Sequence, residues 1–328
     1  MNKMRHSSRG LRLTLLAGAS VVALAAAAPN AVAADLSKPN LTKAPPPAPV
    51  AKDTWTWWIE GGAFNTAGDD FNKGVPGVGI KPKWGPEGAV GFDWRPFSPM
   101  HVVGQFRYGS ATRSKPLNFT AASGGGTVVT TTGSQNLRED HWLVDFGIGR
   151  DFGLGNSHAM WTLGVRVADL RAKLTANGSF HATTFTPTVG GVGTTKTVFT
   201  GAFSALEKST FVGAGPRFGV QGDIPLGGQW SIDWLAGAAV LFGERSLQLT
   251  ATAGGITAAA NSSDSPAVFN VDAQAGLSYW FSPTMKIGAS YRFDGYFKAL
   301  KTLNTATGGT TNIDRFYNGP MLRLTSTF

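Results

Sequence analysis

Apolar and polar residues alternate along much of the chain, most clearly over 267–281, where one parity is apolar and the other is polar or small. The apolar positions are Phe269, Val271, Ala273, Ala275, Leu277, Tyr279 and Phe281. After a tight turn at 282–284 the same alternation resumes over 285–297. A period of two is that of a β-strand. Since about 9–11 strand residues cross a membrane, the pattern predicts strands with one face toward lipid and the other inside a barrel.

The same test along the chain predicts ten strands, with eight or twelve as alternatives. They fall near 54–64, 86–95, 100–110, 138–152, 159–173, 208–224, 230–249, 267–281, 285–297 and 316–328. Short turns at 96–99, 153–157, 225–229 and 282–284 are interleaved with long segments rich in Gly, Thr, Ala and Ser. In outer-membrane barrels short turns face the periplasm and long loops face outward. The fold class is therefore all-β, a transmembrane antiparallel up-and-down barrel.

The last predicted strand closes on an aromatic residue, as outer-membrane barrels do. Gly319, Leu322, Leu324 and Phe328 have the spacing of the signal that the barrel-assembly machinery reads, so that machinery is an expected partner. The alternative is a buried edge strand of a soluble sandwich. Aromatic residues near other strand ends are typical of interfacial girdles. These are Trp55, Trp57, Trp84, Trp94, Trp142, Trp161, Trp230 and Phe281.

Residues 1–34 have the organisation of a secretory signal peptide. Four basic residues in 1–12 precede an Ala-, Leu- and Val-rich run, and Ala31-Val32-Ala33 follows. We expect cleavage after Ala33 or Ala34, with an uncleaved helix as the alternative. Residues 35–53 contain Lys-Ala-Pro-Pro-Pro, and proline fixes φ and removes a donor. The predicted domains are therefore a signal peptide (1–34), a Pro-rich periplasmic tether (35–53) and a barrel (54–328), with lipid, lipopolysaccharide and, through the tether, peptidoglycan as candidate partners.

Composition and charge narrow the function classes. Gly accounts for 43 residues and aromatic residues for 11% of the chain, which suits a barrel. Loss of the signal peptide removes four of the 29 basic residues and none of the 20 acidic ones, so the formal charge falls from +9 to +5. No basic cluster with interleaved aromatics remains, so we expect no nucleic acid partner. The absence of Cys excludes disulfides and thiolate chemistry.

Charged residues on the predicted strands share the parity opposite to the apolar one, which predicts an inward-facing set. Its members are Glu60, Asp93, Arg95, Arg107, Asp145, Arg166, Arg217, Asp233, Asp272, Lys286, Arg292, Asp294 and Arg323. A barrel of about eight strands is filled by its side chains, whereas about sixteen leave a channel. The set could therefore bridge the lumen as a structural plug or line a narrow water path, and both interpretations stay open.

The candidates for chemistry are weak. Asp69 and Asp70 invite comparison with barrel proteases, yet no His lies two residues from an Asp in a matching late loop, so we expect solvated loop acids. The His residues at 101, 141, 158 and 181 lack metal-ligand spacing. The Thr-rich segments 127–132 and 194–200 are interpreted as flexible loops, with adhesive or lipopolysaccharide-contacting edges as the alternative. We therefore expect no catalytic residue, no metal and no cofactor.

Three short motifs carry a family resemblance. Arg-Phe-Asp-Gly-Tyr-Phe at 292–297, Asp-Arg-Phe-Tyr-Asn-Gly-Pro at 314–320 and Gly-Phe-Asp-Trp-Arg-Pro at 91–96 resemble the Legionella-type family of pore-forming major outer-membrane proteins. The start of the tether, Ala34-Asp35-Leu36, is similar to the mature N-terminus of α-proteobacterial surface barrels. The resemblance implies an outer-membrane barrel that conducts small solutes or acts in surface structure and adhesion, and it carries no catalytic residue.

Two functions follow from these expectations. The first is porin-like passive passage of small hydrophilic solutes through a narrow charge-lined lumen in the bacterial outer membrane. The second is a non-conducting surface barrel for envelope integrity, adhesion or host contact. The sequence leaves the oligomeric state open.

Overall fold

The computed structural model of the chain describes residues 54–72, 78–97, 99–123, 127–154, 157–186, 194–304 and 309–328. The predicted signal peptide and tether lie outside these residues. Eleven β-strands make up most of the described chain. They are β1 (Thr54–Gly68), β2 (Trp84–Phe97), β3 (Met100–Ser123), β4 (Thr127–Leu154), β5 (Ser157–Thr186), β6 (Thr194–Gly227), β7 (Trp230–Ala253), β8 (Ile256–Asp264), β9 (Ala267–Ser282), β10 (Met285–Asn304) and β11 (Gly309–Thr327). Within the described ranges no helix is long and apolar enough to cross a membrane.

Ten of these strands close into a ring of antiparallel pairs. The order is β6-β5-β4-β3-β2-β1-β11-β10-β9-β7, and a β6–β7 pairing completes the circle. β1 and β11, the first and last described strands, pair with each other, with Glu60 opposite Arg323 and the Phe328 amide donating to the Trp55 carbonyl over 2.8 Å. The predicted all-β barrel of about ten strands is confirmed. Every membrane strand of the prediction is present.

The strands are longer than the alternation alone predicted, and one strand was missed. β3 to β6 continue more than ten residues beyond the predicted ends. The Thr-rich segments 127–132 and 194–200 therefore belong to β4 and β6, and their interpretation as flexible loops is wrong. β8 lies in a segment predicted as loop and pairs with β7 from Arg245–Asp264 to Ala253–Ile256. The reason is physical: above the membrane both faces of a strand can be polar, so the apolar alternation disappears while backbone pairing continues.

An apolar outer band marks the membrane-spanning part of the ring. Large apolar side chains are exposed on the outward face from Phe97, Phe281 and Phe328 near the short turns up to Tyr108 and Val212. Since exposed apolar residues in such a continuous belt avoid water only by facing lipid, the belt defines the bilayer. The parts of β3 to β7 beyond it, together with β8, form a tall sheet that we call the upper sheet.

The inner side of the upper sheet is covered by two other segments of the chain. Gln135 of β4 donates to the carbonyl of Val78 in the β1–β2 connection over 2.8 Å. The outer end of β10 packs on β6, where the Lys301 amide donates to the Ser209 hydroxyl over 2.9 Å. β10 enters this position through a register shift after Tyr296, with Lys298 at a φ of 56°. The ring is therefore filled from above by its own connections.

Candidate functional site

All thirteen residues predicted to face inward lie inside the ring. Most of them occupy a mid-depth layer of five arginines and five carboxylates, which we call the charge layer. Its members are Arg107, Arg166, Arg217, Arg292, Arg323, Glu60, Glu87, Asp145, Asp272 and Asp294. Glu87 was missed by the sequence analysis, although it shares its parity with Asp93 on the same strand. The other predicted inward residues, Asp93, Arg95, Asp233 and Lys286, lie nearer the short turns.

The charge layer is a continuous network. Arg166 is fully buried and contacts Asp145 at 2.6 Å and Asp272 at 2.9 Å. Arg217 joins the same Asp272 carboxylate at 2.7 Å. Since a carboxylate has two oxygens that accept from more than one guanidinium, these pairs link β5 and β6 to β9, which is not a neighbour of either strand in the ring.

The other half of the network is built around Glu60. Arg292 contacts Glu60 at 2.6 Å, and Arg323 contacts its second oxygen at 2.7 Å. Arg107 bridges Glu87, at 3.2 Å, and Asp294. Gln274 donates to Glu60 over 3.0 Å and accepts from Arg292 over 2.7 Å. Side chains therefore occupy the mid-depth lumen, and each buried charge has an opposite charge beside it, as burial requires.

A polar cavity of about 430 Å³ lies below this layer, at the end of the barrel that carries the short turns. His101 lies between two carboxylates there, 2.8 Å from Asp93 and 3.0 Å from Asp151. Lys286 contacts Asp233 at 2.9 Å. Among the described residues no group of three or more His, Asp or Glu has the arrangement of a metal site. The cavity is thus a water-accessible vestibule with paired charges.

An apolar layer fills the lumen above the charge layer, toward the upper sheet. Its buried members include Phe64, Phe71, Leu137, Leu143, Leu170, Phe211, Leu241, Tyr296, Leu300, Ile313 and Tyr317. His141 stacks on Tyr317 with ring centroids 4.1 Å apart, and Phe64 meets both rings edge-on. Arg315 and Glu139 form a fully buried pair at 3.0 Å within this region. Water is therefore displaced by side chains over this part of the lumen.

The sequence analysis missed this apolar layer because it took the inward face to be polar. Strand parity carries the signal, since Phe64 shares its parity with Glu60, and Tyr296 with Asp294. Arg315 was missed for another reason: β11 begins at Gly309, and the predicted strand begins one residue after Arg315. Asp69 and Asp70 are half-buried loop residues, with Asp69 accepting from the Asp314 amide over 3.2 Å and Asp70 lying 3.8 Å from Lys81.

One carboxyl group in the upper sheet has an unusual environment. Glu207 of β6 lies on the inner face five residues beyond Val212, which is about 16 Å along the strand and outside the apolar band. Burial raises the pKa of Glu207 to about 7, and hydrogen bonds from Thr302 and the Leu303 amide oppose that rise only in part. Below neutral pH the Glu207 carboxyl group is therefore protonated and uncharged in the folded protein.

The four residues of the proposed assembly signal lie on β11 and just after it. Leu322 and Phe328 are among the most exposed apolar side chains, at 62% and 75%, and Leu324 also faces outward. Gly319 is buried, with the Ala63 carbonyl where a Cβ would be placed. Their recognition by the assembly machinery stays a prediction.

Comparison with known proteins fits the barrel and its lumen. A family model described as the Legionella pneumophila major outer membrane protein precursor matches residues 92–328. The chain belongs to this family. As a member of the major outer membrane protein family with a barrel fold, it is a protein of the bacterial outer membrane. The match covers β3 to β11 entirely. It contains the motifs at 292–297 and 314–320 in full, and all but the first residue of the motif at 91–96.

Solved structures of outer-membrane barrels are similar to this family member at low identity. The outer membrane protease OmpT from Escherichia coli has 12% identity, a TM-score of 0.49 and coverage of 85% of this chain and 98% of its own. A major outer membrane protein from Thermus thermophilus has 12% identity and a TM-score of 0.32, covering 84% of this chain and 99% of its own. An outer membrane channel from Pseudomonas putida has 10% identity and a TM-score of 0.29, covering 89% and 100%. No curated protein matches the chain. At these scores none of the likenesses carries an argument about function.

Proposed function

We propose that this protein is a closed outer-membrane barrel whose role lies in its surface, with the upper sheet as the part that the cell presents outward. The observation that carries the proposal is the filling of the lumen by two successive layers. Arg166, Asp272 and Asp294 are at most 5% exposed in the charge layer. Leu137, Leu241 and Tyr296 are at most 2% exposed in the apolar layer. No catalytic role is part of this proposal.

The charge layer alone would not favour closure, because ion pairs lining a lumen also occur in channels. The apolar layer adds the stronger argument. A hydrated solute or ion crossing it would have to lose most of its water, and the Arg315 and Glu139 side chains within the layer are already paired with each other. Burying a single polar group without a partner costs several kcal/mol, and burying an ion costs far more. The size of the ring also favours closure, because a ten-strand barrel is close in diameter to the eight-strand barrels that side chains fill.

Passive passage of small hydrophilic solutes is the second candidate, and it stays a prediction. The observation that favours it is the polar vestibule of about 430 Å³, which reaches the charge layer from the short-turn end. Passage would require the β1–β2 connection and the outer end of β10 to leave the ring, because Phe71, Ile80 and Leu300 belong to the apolar layer. The two functions therefore differ in whether these segments move.

Swelling of proteoliposomes in sugar solutions distinguishes the two. The folded protein, with incorporation verified by flotation and by its heat-modifiable mobility, is expected to give swelling no faster than protein-free vesicles. A variant carrying Leu300→Ser, Tyr296→Ser and Phe71→Ser is expected to swell faster, since it hydrates the apolar layer. The matched control places three serines at exposed apolar positions of the upper sheet, at Val128, Phe199 and Ile256, which lie outside the apolar layer. Rapid swelling of the unmodified protein, or discrete conductance steps in planar bilayers, would contradict closure and favour passage.

A further inference from the structure

The outward face of the upper sheet carries one concentrated group of positive charge, formed by Arg138, Arg171, Lys173 and Lys208. Backbone pairing places Arg138 opposite Lys173, and Lys173 opposite Lys208, so three basic residues form a row across β4, β5 and β6. All four are exposed, with Arg138 at 56% and Arg171 at 63%. We call them the basic row.

The height of the basic row relative to the bilayer follows from the same register. Tyr108, Trp142 and Val212 are the last large apolar outward residues of β3, β4 and β6, and Asp169 is the β5 member of the same register row. Arg171 lies one outward position above this row. Arg138, Lys173 and Lys208 lie two outward positions above it. Each position is about 6.6 Å along the strand and about 5 Å along the membrane normal at a tilt near 40°. The basic row therefore stands roughly 5 to 10 Å above the aromatic edge, at the level of lipid headgroups.

The charges of the basic row are only partly compensated. Arg138 pairs with Asp140 at 2.9 Å, and Arg171 pairs with Asp169 at 2.6 Å. In the part of the chain that the structure describes, no acidic side chain lies within ion-pair distance of Lys173 or Lys208. Like charges directly opposite one another destabilise a strand pair. Two unpaired lysines side by side next to an arginine thus reduce stability unless an anion bridges them.

The positions above the basic row differ in kind. The outward residues that follow on β4 and β5 are neutral and polar: Asn136, Ser134, Thr132, Thr130, Thr175, Asn177 and Ser179. On β4 and β5 the outward lysines and arginines are thus confined to the level of the headgroups, whereas on β6 Lys196 lies farther out. A binding site for a soluble polyanion would have no physical reason to be restricted to this height.

We propose that the basic row binds the phosphate groups of lipopolysaccharide in the outer leaflet. Its three strands span about 10 Å, a width that suits a phosphorylated glycolipid headgroup lying against the barrel wall. The planar guanidinium of Arg138 offers paired donors to a phosphate, and the two ammonium groups supply point charges. The acyl chains of the same molecule would lie on the apolar band directly below. Closure of the lumen plays no part in this argument.

Titration of the detergent-solubilised, refolded protein with purified lipopolysaccharide tests the proposal. The variant Lys173→Gln with Lys208→Gln removes the two unpaired charges. At about 1 kcal/mol for each basic residue at a membrane surface and 1.4 kcal/mol for each tenfold change, affinity should fall roughly 25-fold. The matched control, Lys83→Gln with Lys196→Gln, removes the same charge from exposed lysines away from the row and should keep the unmodified affinity. Heat-modifiable mobility confirms that each variant is folded.

Two further ligands identify what the row recognises. Chemically dephosphorylated lipopolysaccharide should bind the unmodified protein about as weakly as intact lipopolysaccharide binds the double variant. Heparin, as a soluble polyanion, should bind no better to the unmodified protein than to the double variant. Equal affinity of the double variant and the control for lipopolysaccharide, or indifference to phosphate, would overturn the proposal. Heparin binding that requires Lys173 and Lys208 would assign the row to a soluble polyanion instead.

Discussion

Arg166 shows how a single residue can hold the lumen together. Its guanidinium is fully buried and contacts carboxylates of two different strands, Asp145 of β4 and Asp272 of β9. Replacement by an apolar residue would leave both carboxylates near the barrel centre with fewer opposite charges. Breaking a buried pair in this way is more costly than losing an exposed one, because the remaining charge is still desolvated.

For Arg166→Met we expect a loss of about 3 to 5 kcal/mol in the free energy of unfolding. The measurement is urea unfolding in lipid vesicles, followed by tryptophan fluorescence. Lys196→Met, on an exposed residue of the upper sheet, serves as the control and should change stability by less than about 0.5 kcal/mol. A similar small change for both variants would mean that the charge layer is hydrated and weakly coupled.

Glu207 gives a pH dependence with a definite sign. Its pKa is about 7 in the folded protein and 4.5 in the unfolded chain, so between these values the folded state holds one more proton. The stability contributed by the protonated carboxyl therefore decreases as the pH rises from 4.5 to 7 and is constant above that. Relative to Glu207→Gln, the unmodified protein should lose about 2.5 kcal/mol between pH 5 and pH 8.

Unfolding free energies of the two proteins at pH 5 and pH 8 check this expectation. Glu244→Gln is the control, because Glu244 is an exposed carboxyl of β7. It should leave the pH profile of the unmodified protein unchanged. If the unfolding free energy of Glu207→Gln changed with pH in parallel with that of the unmodified protein, Glu207 would have the same pKa in the folded and unfolded states.

At the scale of elements, β8 differs from the other ten strands. The ring closes through β7–β9 and β6–β7 pairing, and the described backbone pairing of β8 is with β7, along nine residue pairs. Asp264 at its end ties it to Arg245 at 2.5 Å and to Lys301 at 3.2 Å. β8 is therefore an addition to a barrel whose ring of ten strands is complete without it.

Shortening the β7–β8 hairpin tests this separation. Joining Thr250 to Ala259, which face each other, through Gly-Gly removes the outer part of the hairpin and keeps the Arg245–Asp264 pair. The shortened protein should fold to a heat-modifiable barrel with a melting temperature within a few degrees of the original, as expected for loop tips. A deletion of eight residues within β9 should abolish folding. Failure of the hairpin variant to fold would place β8 among the strands that the ring requires.

For the whole molecule, the unequal lengths of the two ends set its orientation. The ring has short turns at one end and the upper sheet at the other, and the upper sheet should face the cell exterior. The absence of cysteine allows a direct measurement, since single cysteines can be placed at exposed residues at either end. Asn261→Cys on β8 should react with a large, impermeant maleimide in intact cells. Gln229→Cys in the β6–β7 turn should react only after the outer membrane is opened, and the reverse pattern would invert the assignment.

Much of the barrel follows from the sequence because membrane strands obey a simple local constraint. Lipid forces one face of each spanning strand to be apolar, so a period of two in β9 and β10 defines the strand, its outward face and its length in the bilayer. The parity that makes Phe269 face lipid places Asp272 inside on β9, and the same alternation on β10 places Asp294 inside. The inward positions of the charge-layer residues were therefore deducible before their partners were known.

Other features depended on pairing between distant parts of the chain. Above the membrane no lipid constrains the side chains, so the outer halves of β4 and β6, and all of β8, are defined by backbone hydrogen bonds that local sequence does not reveal. The apolar layer needs Phe71, Leu137 and Leu300 to meet from three separate segments. Likewise, Arg138, Lys173 and Lys208 become neighbours only through strand register. The sequence by itself determined the lipid-facing wall of the barrel, because each strand must present an apolar face to lipid whatever its neighbours are. Tertiary structure decided which side chains close the lumen and where charged side chains cluster on the surface, because both require residues far apart in the chain to come together.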